Sequence, residues 1–160
     1  MPEKIRELKH PRGFSRLIFR FPIFLFRSGV GWLFGDRLLL LNHIGRNSGK
    51  QRQAVLEVAH HDKDTNTFIV NVGFGKNSDW YKNLKKNPNV SIMVRKDTIK
   101  VHAEDLPSEE GGECMVNFLK NHPIEAKMAA LIGYRVKSNE DDFRALGKEM
   151  SFVKLTPRLT

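Results

Sequence analysis

The residues that could do chemistry in this 160-residue chain lie mainly between positions 42 and 90, in two polar segments separated by apolar strands. The first segment, Gly45–Arg52, places the cations Arg46, Lys50 and Arg52 around two glycines and a serine. A tight turn of this composition exposes backbone N–H groups beside positive side chains, which favours anion binding. It is not a nucleotide-binding P-loop, because its glycines are too closely spaced and no Ser or Thr follows the lysine.

The second segment covers residues 73–88 and predicts a turn followed by a short helix. Gly73 and Gly75 would allow a flat ring to approach the backbone, although an ordinary turn at a strand end explains them equally well. Ser78 or Asp79 can cap the helix. A helix N-terminus adds N–H groups and a partial positive charge, which again suits phosphate.

No other arrangement of reactive side chains is legible in the sequence. The six histidines lack the spacing of metal ligands, and no Ser–His–Asp grouping is apparent. Cys114 is the only cysteine, so we expect it to serve packing, and we expect a reducing, cytoplasmic location. This pattern is consistent with a redox enzyme whose cofactor carries the chemistry.

The charge of the chain is strongly positive, with 27 basic and 18 acidic residues. Up to Arg52, eleven basic residues face three acidic ones, so this third carries about eight of the nine net charges. Such an excess implies an anionic partner, which could be a phosphorylated cofactor, a membrane surface or nucleic acid. No apolar run approaches the roughly twenty residues that a membrane-spanning helix needs.

Residues 12–27 predict a basic amphipathic helix rich in Phe and Arg, which Pro22 should interrupt so that a second segment begins there. Such a helix can lie peripherally in a lipid interface at the inner face of the membrane. The same apolar face also fits packing on the protein's own core or on a second subunit, and the pattern favours this alternative.

From residue 37 the pattern becomes that of β-strands, expected at 37–44, 52–61, 67–73, 89–95, 98–105 and 150–156. Helices are expected at 108–121, which a Gly-Gly pair should weaken, at 123–132 and at 138–148. The order predicts an α+β fold, a six-stranded antiparallel barrel with helices at its rim. We divide the chain into a basic helical segment, residues 1–36, and a barrel domain, residues 37–160.

Two motifs together resemble the deazaflavin-dependent nitroreductase family. They are Gly45-Arg46-Asn47-Ser48-Gly49 with Arg52, and Trp80-Tyr81-Lys82-Asn83-Leu84 with Asn87-Pro88. The family consists of small split β-barrel oxidoreductases, similar to FMN-binding proteins, that use coenzyme F-420. The resemblance implies hydride transfer from the reduced deazaflavin to a hydrophobic acceptor such as a quinone, an enone or a nitroaromatic compound.

The resemblance also implies roles for individual residues. The phosphate and the acidic tail of the cofactor would be held by Arg46, Asn47, Ser48 and Arg52, with Lys50 substituting for the lysine that the family usually has where Asn47 stands. The ring would contact the backbone of Gln53, Ala54, Val55, Leu56 and Glu57, with Asn71, Val72, Gly73 and Phe74 on the opposite wall. Tyr81 and Asn83 are candidates for hydrogen bonds to the cofactor, whereas Trp80 and Leu84 share one helix face and predict core anchors beside it. Tyr134 is a candidate proton donor or substrate contact.

Other interpretations remain open at this stage. A split barrel can bind FMN or haem instead, because a fold does not determine its ligand. A small basic nucleic-acid-binding domain is a second alternative, although the aromatic residues cluster in apolar runs rather than alternating with cations. A homodimer is compatible with the sequence, and no nucleic-acid partner is expected under the leading hypothesis.

Overall fold

The computed structural model of the chain describes residues 3–4, 14–73, 75–124, 134–135 and 139–159. Its strands are β1 (Glu3–Lys4), β2 (Leu38–Ile44), β3 (Gln51–Asp62), β4 (Thr67–Asn71), β5 (Asn89–Val94), β6 (Asp97–Asp105), β7 (Tyr134–Arg135) and β8 (Phe152–Pro157). Its described helices are α1 (Phe14–Arg27), α2 (Asp79–Lys86), α3 (Ser108–Asn121) and α4 (Glu140–Glu149), with a 3-10 turn over Gly31–Phe34.

Six of these strands close into an antiparallel barrel in the order β2-β3-β4-β8-β6-β5, with β5 returning to β2. The predicted α+β barrel is therefore confirmed, and the six strands begin and end within two residues of their predicted limits. Alternation of side chains explains this accuracy, because Leu39 and Leu41 of β2 point inward together with Val70, Ile92 and Val101. The core is formed mainly by aliphatic side chains, together with Phe68 and Tyr81.

A second apolar cluster lies outside the barrel, where α3 and α4 cover Phe152 of β8. The two helices contact each other closely, and the paired glycines explain how. A Cβ atom on Gly111 would lie 2.9 Å from the Gly147 carbonyl oxygen, and one on Gly147 would meet the Gly111 carbonyl oxygen still closer. Helix α3 runs its full predicted length despite Gly111-Gly112, and the missing side chains of these glycines permit this packing.

Helix α1 also departs from expectation, because it continues through Pro22 as one helix instead of restarting there. The reason is tertiary packing beyond the proline: Phe26 is 1% exposed, stacks on Phe34 and lies against Gly31. Burial of a Phe side chain contributes about 2–3 kcal/mol, which is comparable to the cost of about 3 kcal/mol for an interior proline.

The remaining predictions for the ends of the chain have mixed outcomes. Helix α4 is confirmed, with Asn139 as its N-cap accepting a hydrogen bond from the Asp142 N–H at 2.8 Å. Most of the helix expected at 123–132 lies outside the described residues. The domain division at residue 36 stays a prediction; the barrel begins two residues later, at Leu38.

The contact between α3 and α4 gives a stability prediction. We expect Gly147→Ala to lower the free energy of unfolding by about 2 kcal/mol, because the new methyl group overlaps the Gly111 carbonyl and this outweighs the higher helix propensity of alanine. Glu149→Ala, at an exposed site in the same helix, should change it by less than about 0.5 kcal/mol. Urea denaturation measures both, and equal stabilities would contradict the close packing.

Candidate functional site

The turn between β2 and β3 is closed by its own backbone. The Gly45 N–H donates to the Lys50 carbonyl at 2.8 Å, the Gly49 N–H donates to the Gly45 carbonyl at 2.9 Å, and the Lys50 N–H donates to Ser48 Oγ at 3.2 Å. Gly49 has a φ of 67°, a left-handed conformation that favours glycine. The turn therefore has a defined shape, and it leaves the side chains of Asn47, Ser48 and Lys50 exposed.

Arg46 fastens this turn to helix α2. Its backbone N–H and its Nη1 both donate to Asn83 Oδ1 at 3.0 Å, and its Nη2 lies 3.1 Å from Asp79 Oδ1. From the last turn of the same helix, Lys86 Nζ donates to the Arg46 carbonyl at 2.8 Å. The two motifs that the sequence singled out are thus joined directly, through one arginine and three residues of α2.

His43 completes this arrangement, and the sequence analysis did not identify it. Its Nδ1 lies 3.0 Å from Asn83 Nδ2, and the side chains of both residues are buried. Burial, together with the neighbouring Arg52 guanidinium, lowers the pKa of His43 to about 4. A signal for it existed in the sequence: His43 continues the inward series Leu39 and Leu41 at a spacing of two, so it is a polar residue at a core position.

The glycine loop, residues 72–78, leads from the end of β4 to the start of α2. The Gly75 N–H donates to the Val72 carbonyl at 3.0 Å, and the Ser78 N–H and hydroxyl both donate to the Gly75 carbonyl. Ser78 is thus the N-cap residue of α2, but its side chain holds the loop instead of the helix. The loop ends one residue before Asp79, the partner of Arg46. Gly73 is exposed, and Phe74 lies outside the described residues.

Strand β3 extends past β4 at this end of the barrel. Pairing with β4 begins at Val58, opposite Val70, whereas pairing with β2 covers Gln51–Glu57. In the part of the chain that the structure describes, the second edge of residues 53–56 therefore lies beside no strand. At the end of β4, the side-chain oxygen of Asn71 is buried without a hydrogen-bond partner among the described residues. Backbone groups without a strand partner and an acceptor without a hydrogen-bond partner, both among the described residues, thus occur at the same end of the closed barrel.

Some predicted site residues are turned away from this region. The Tyr81 hydroxyl donates to Asp105 Oδ1 at 2.8 Å, and Lys85 Nζ binds the other oxygen of that carboxylate at 2.8 Å. Burial and the bond to Asp105 raise the pKa of Tyr81 to about 12. Leu84 is buried in the core and Trp80 packs against it, which are the core roles that the sequence predicts.

The other predicted residues can be placed only in part. The backbone of Tyr134 pairs with Lys4, and its side chain lies outside the described residues. Gln53 is held in a polar row on the outer face of the barrel, where its amide donates to Asn42 Oδ1 at 2.8 Å and accepts from Arg27 Nε at 2.6 Å. The C-terminal end of α1 therefore lies beside residues 53–56 of β3. We call the edge of these residues that has no neighbouring strand among the described residues the split edge.

A separate cavity of about 360 Å³ lies between α3 and the strands β3 and β4. Its lining includes Glu109, Glu110 and Glu113, so it is unsuited to an anionic ligand. Cys114 also lines it, and burial raises the pKa of this thiol to about 11, consistent with the predicted packing role. Across the described residues, no group of His, Cys, Asp and Glu side chains could hold a metal ion.

Comparison with known proteins gives a consistent result. The family model described as F420H(2)-dependent quinone reductase matches residues 26–130. The quinone reductase Rv3178 of Mycobacterium tuberculosis (strain ATCC 25618 / H37Rv), which carries the same F420H(2)-dependent description, is 36% identical over 87 residues, covering 52% of this chain and 71% of that protein.

Two solved structures share the fold. One is an F420-H2 dependent reductase, FDR-A, with a TM-score of 0.51 at 18% identity over 76% of this chain and 95% of that chain. The other, described as a domain-swapped dimer, has a TM-score of 0.53 at 16% identity over 89% of this chain and 99% of that chain. Among the helices in the described ranges, none combines the length and apolarity needed to cross a bilayer.

The low pKa of His43 gives a pH prediction. Folding keeps the imidazole neutral while the unfolded chain takes up a proton near the usual value of 6.5, so stability is full above pH 6.5 and falls as the pH drops towards 4. Wild type should lose on the order of 2 kcal/mol more than His43→Asn between pH 7 and 4.5 in urea denaturation. The control His102→Asn, at an exposed position, should retain the wild-type slope; parallel slopes for all three proteins would contradict the prediction.

Proposed function

Because this chain belongs to the F420H(2)-dependent quinone reductase family, we propose that it passes a hydride from reduced coenzyme F-420 to a hydrophobic acceptor, namely a quinone, an enone or a nitroaromatic compound. Membership of the family makes the chain an oxidoreductase with coenzyme F-420 as its cofactor. The observation that carries the proposal is the joining of the cationic turn to α2 through Arg46 and Asn83, beside the split edge of β3.

The cations at the turn suit the phosphate and the acidic tail of the cofactor. Lys50 and Arg52 are exposed, and Asn47 and Ser48 add polar groups at the tip of the turn. Arg46 is held by Asp79, but the Asp79 side chain is 84% exposed, and an ion pair in such a position is worth less than about 1 kcal/mol. A phosphate can therefore replace Asp79 at the Nη2 atom of this guanidinium at little cost, while Nη1 stays on Asn83.

The split edge of β3 suits the ring system. Within the described ranges, backbone groups of Gln53, Ala54, Val55 and Leu56 have no strand on one side, so they can bind the polar edge of a flat heterocycle. Asn71 Oδ1 offers a buried acceptor without a partner among the described residues. On the opposite wall the exposed Gly73 allows close approach, because no described atom other than those of Gly73 and its chain neighbours lies within 4 Å of where its Cβ would be.

Bound reduced coenzyme F-420 supplies the hydride. The protein binds the cofactor, orients its ring and shields it from water. In this proposal the turn anchors the charged end of the cofactor, and the β3 edge sets the angle of the ring. Residues 71–73 would limit access of water from one side. We assign Tyr134 the role of proton donor or substrate contact, and we give Tyr81 and Asn83 a supporting role, because their polar atoms bind Asp105, Arg46 and His43.

An apolar surface that extends from α1 to the hairpin between β5 and β6 supports a lipid-soluble acceptor. Phe21 and Phe24 of α1 are 59% and 62% exposed, and Trp32 and Leu33 of the following 3-10 turn are 49% and 64% exposed. Lys96 Nζ lies 5.9 Å from the centre of the Trp32 ring. Aromatic residues beside cations are typical of surfaces that enter a lipid interface. We therefore propose that these five residues form a surface that docks on a membrane, the membrane-docking patch. This patch would bring the enzyme to quinones dissolved in the membrane.

Two alternative functions can be tested with the same protein, and so can its oligomeric state. An FMN- or haem-binding barrel would give a preparation that retains that chromophore instead of binding deazaflavin. A nucleic-acid-binding domain would show affinity that falls steeply with salt concentration. We also propose a homodimer, in view of the domain-swapped dimer that shares the fold, and sedimentation tests it.

We expect Lys50→Ala and Arg52→Ala each to weaken coenzyme F-420 binding by about tenfold, because each removes a charge-assisted contact to an anion. Quenching of deazaflavin fluorescence measures the affinity. Lys63→Ala is the matched control, since Lys63 is exposed in the hairpin at the other end of β3. Absence of quenching by wild type, with FMN bound instead, would reject the proposal.

We expect Phe24→Ser and Leu33→Ser each to weaken binding to vesicles that contain phosphatidylglycerol by about thirtyfold, measured by flotation, because an inserted Phe or Leu side chain contributes about 2 kcal/mol. Ile124→Ser removes an equally exposed apolar residue elsewhere and should float like wild type. Pure phosphatidylcholine vesicles should bind all forms less well. Unchanged flotation of both patch variants, or of a protein lacking residues 1–27, would rule out the membrane-docking patch.

A further inference from the structure

We propose that His43 is a positioning residue for the cofactor: it holds the Asn83 amide, and through that amide it sets Arg46 and the anion-binding turn. The inference rests on the proposed function, since it assigns the turn to the anionic end of coenzyme F-420. His43 itself is not part of the exposed surface of the turn, because its side chain is buried near the C-terminal end of β2.

The orientation of the Asn83 amide follows from its partners. The Arg46 backbone N–H can only donate, and it points at Asn83 Oδ1 from 3.0 Å, as does Arg46 Nη1. The other end of the amide is then the NH2 group, which faces His43 Nδ1 at 3.0 Å. Since an NH2 group donates, Nδ1 must accept, and the imidazole must carry its proton on Nε2. One tautomer of His43 therefore corresponds to one orientation of Asn83.

Burial makes this arrangement exclusive. His43 is 5% exposed and Asn83 is 4% exposed, so water can replace neither partner. Without an acceptor at position 43, the Asn83 amide either leaves an NH2 group unpaired or rotates and presents that group to the Arg46 N–H. Both alternatives loosen the one hydrogen bond to a side chain that the Arg46 backbone N–H makes among the described residues.

Burial, followed by the charge of Arg52, keeps His43 neutral in the working enzyme. Arg52 lies opposite it in the register between β2 and β3 and disfavours a second proton, whereas Asp79 at the start of α2 acts weakly in the other direction. Arg46 and Lys86, which meet at the same end of α2, add positive charge. A protonated imidazole would turn a donor towards the Asn83 NH2 group and break the chain of contacts, so the low pKa of His43 preserves it at neutral pH.

The test compares two substitutions of similar size. His43→Asn retains an acceptor oxygen close to the position of Nδ1, whereas His43→Leu fills the space without one. We expect His43→Leu to weaken coenzyme F-420 binding by about tenfold in fluorescence quenching, and His43→Asn to stay within about twofold of wild type. His102→Leu, at an exposed position on β6, is the matched control and should bind like wild type.

A double-variant cycle separates positioning from general loosening. If His43 acts through Asn83, then His43→Leu should add no further loss of affinity to Asn83→Leu, whereas independent effects would multiply. Wild type that binds the cofactor while His43→Leu binds equally well would overturn the inference and leave the proposed function intact. Wild type that fails to bind the cofactor would reject the proposed function itself.

A measurement on the wild-type protein covers the case in which His43→Leu does not fold. Imidazole nitrogen shifts from NMR should show Nδ1 of His43 unprotonated and Nε2 protonated at neutral pH, both with and without coenzyme F-420. A proton on Nδ1 would exclude the bond from Asn83 and overturn the inference. Circular dichroism of each variant establishes whether its affinity reports on a folded protein.

Discussion

The structure depends on a single amide, that of Asn83, which is buried between a histidine and an arginine. Its oxygen accepts two hydrogen bonds from Arg46, and its nitrogen donates to His43. These contacts join helix α2 to the turn between β2 and β3, two segments almost forty residues apart in sequence. Since a buried polar group without partners costs about 1–3 kcal/mol, the three residues stabilise each other only as a set.

The barrel contributes to the site through the part of β3 that does not pair with β4. Closure of the sheet requires β3 to pair with both neighbours over part of its length, and the pairing with β4 stops at Val58. Among the residues that the structure describes, the rest of β3 has no strand along one backbone edge, next to the cationic turn. A rigid sheet thus supplies both the anchor for charge and the straight edge for a ring, and no flexible element is needed to bring them together.

Much of the fold could be predicted because side-chain alternation determines it. The strands and α3 follow directly from their apolar periodicity, as Leu39 and Leu41 illustrate. Predictions that depend on distant partners were less successful. Pro22 is tolerated because Phe26 is buried by residues later in the chain, and the Gly111-Gly112 pair is a contact site because Gly147 packs against it.

The candidate site shows the same limit. The two motifs were predictable as anion-binding types of segment, but the partner of each polar atom was not. Tyr81 illustrates this, since its hydroxyl belongs to Asp105, more than twenty residues away. His43 could have been noticed as a polar residue at an inward position of β2, yet only the three-dimensional structure shows that Asn83 is what it binds.

The open edge of β3 has a consequence for solubility. An exposed strand edge is a template on which another polypeptide can add its own strand and begin to aggregate. Here Lys50 and Arg52 stand at the start of that edge, and Arg46 lies beside it. Like charges on an approaching copy would repel it, so the cations that attract a small anion also act as gatekeepers against self-association along the strand.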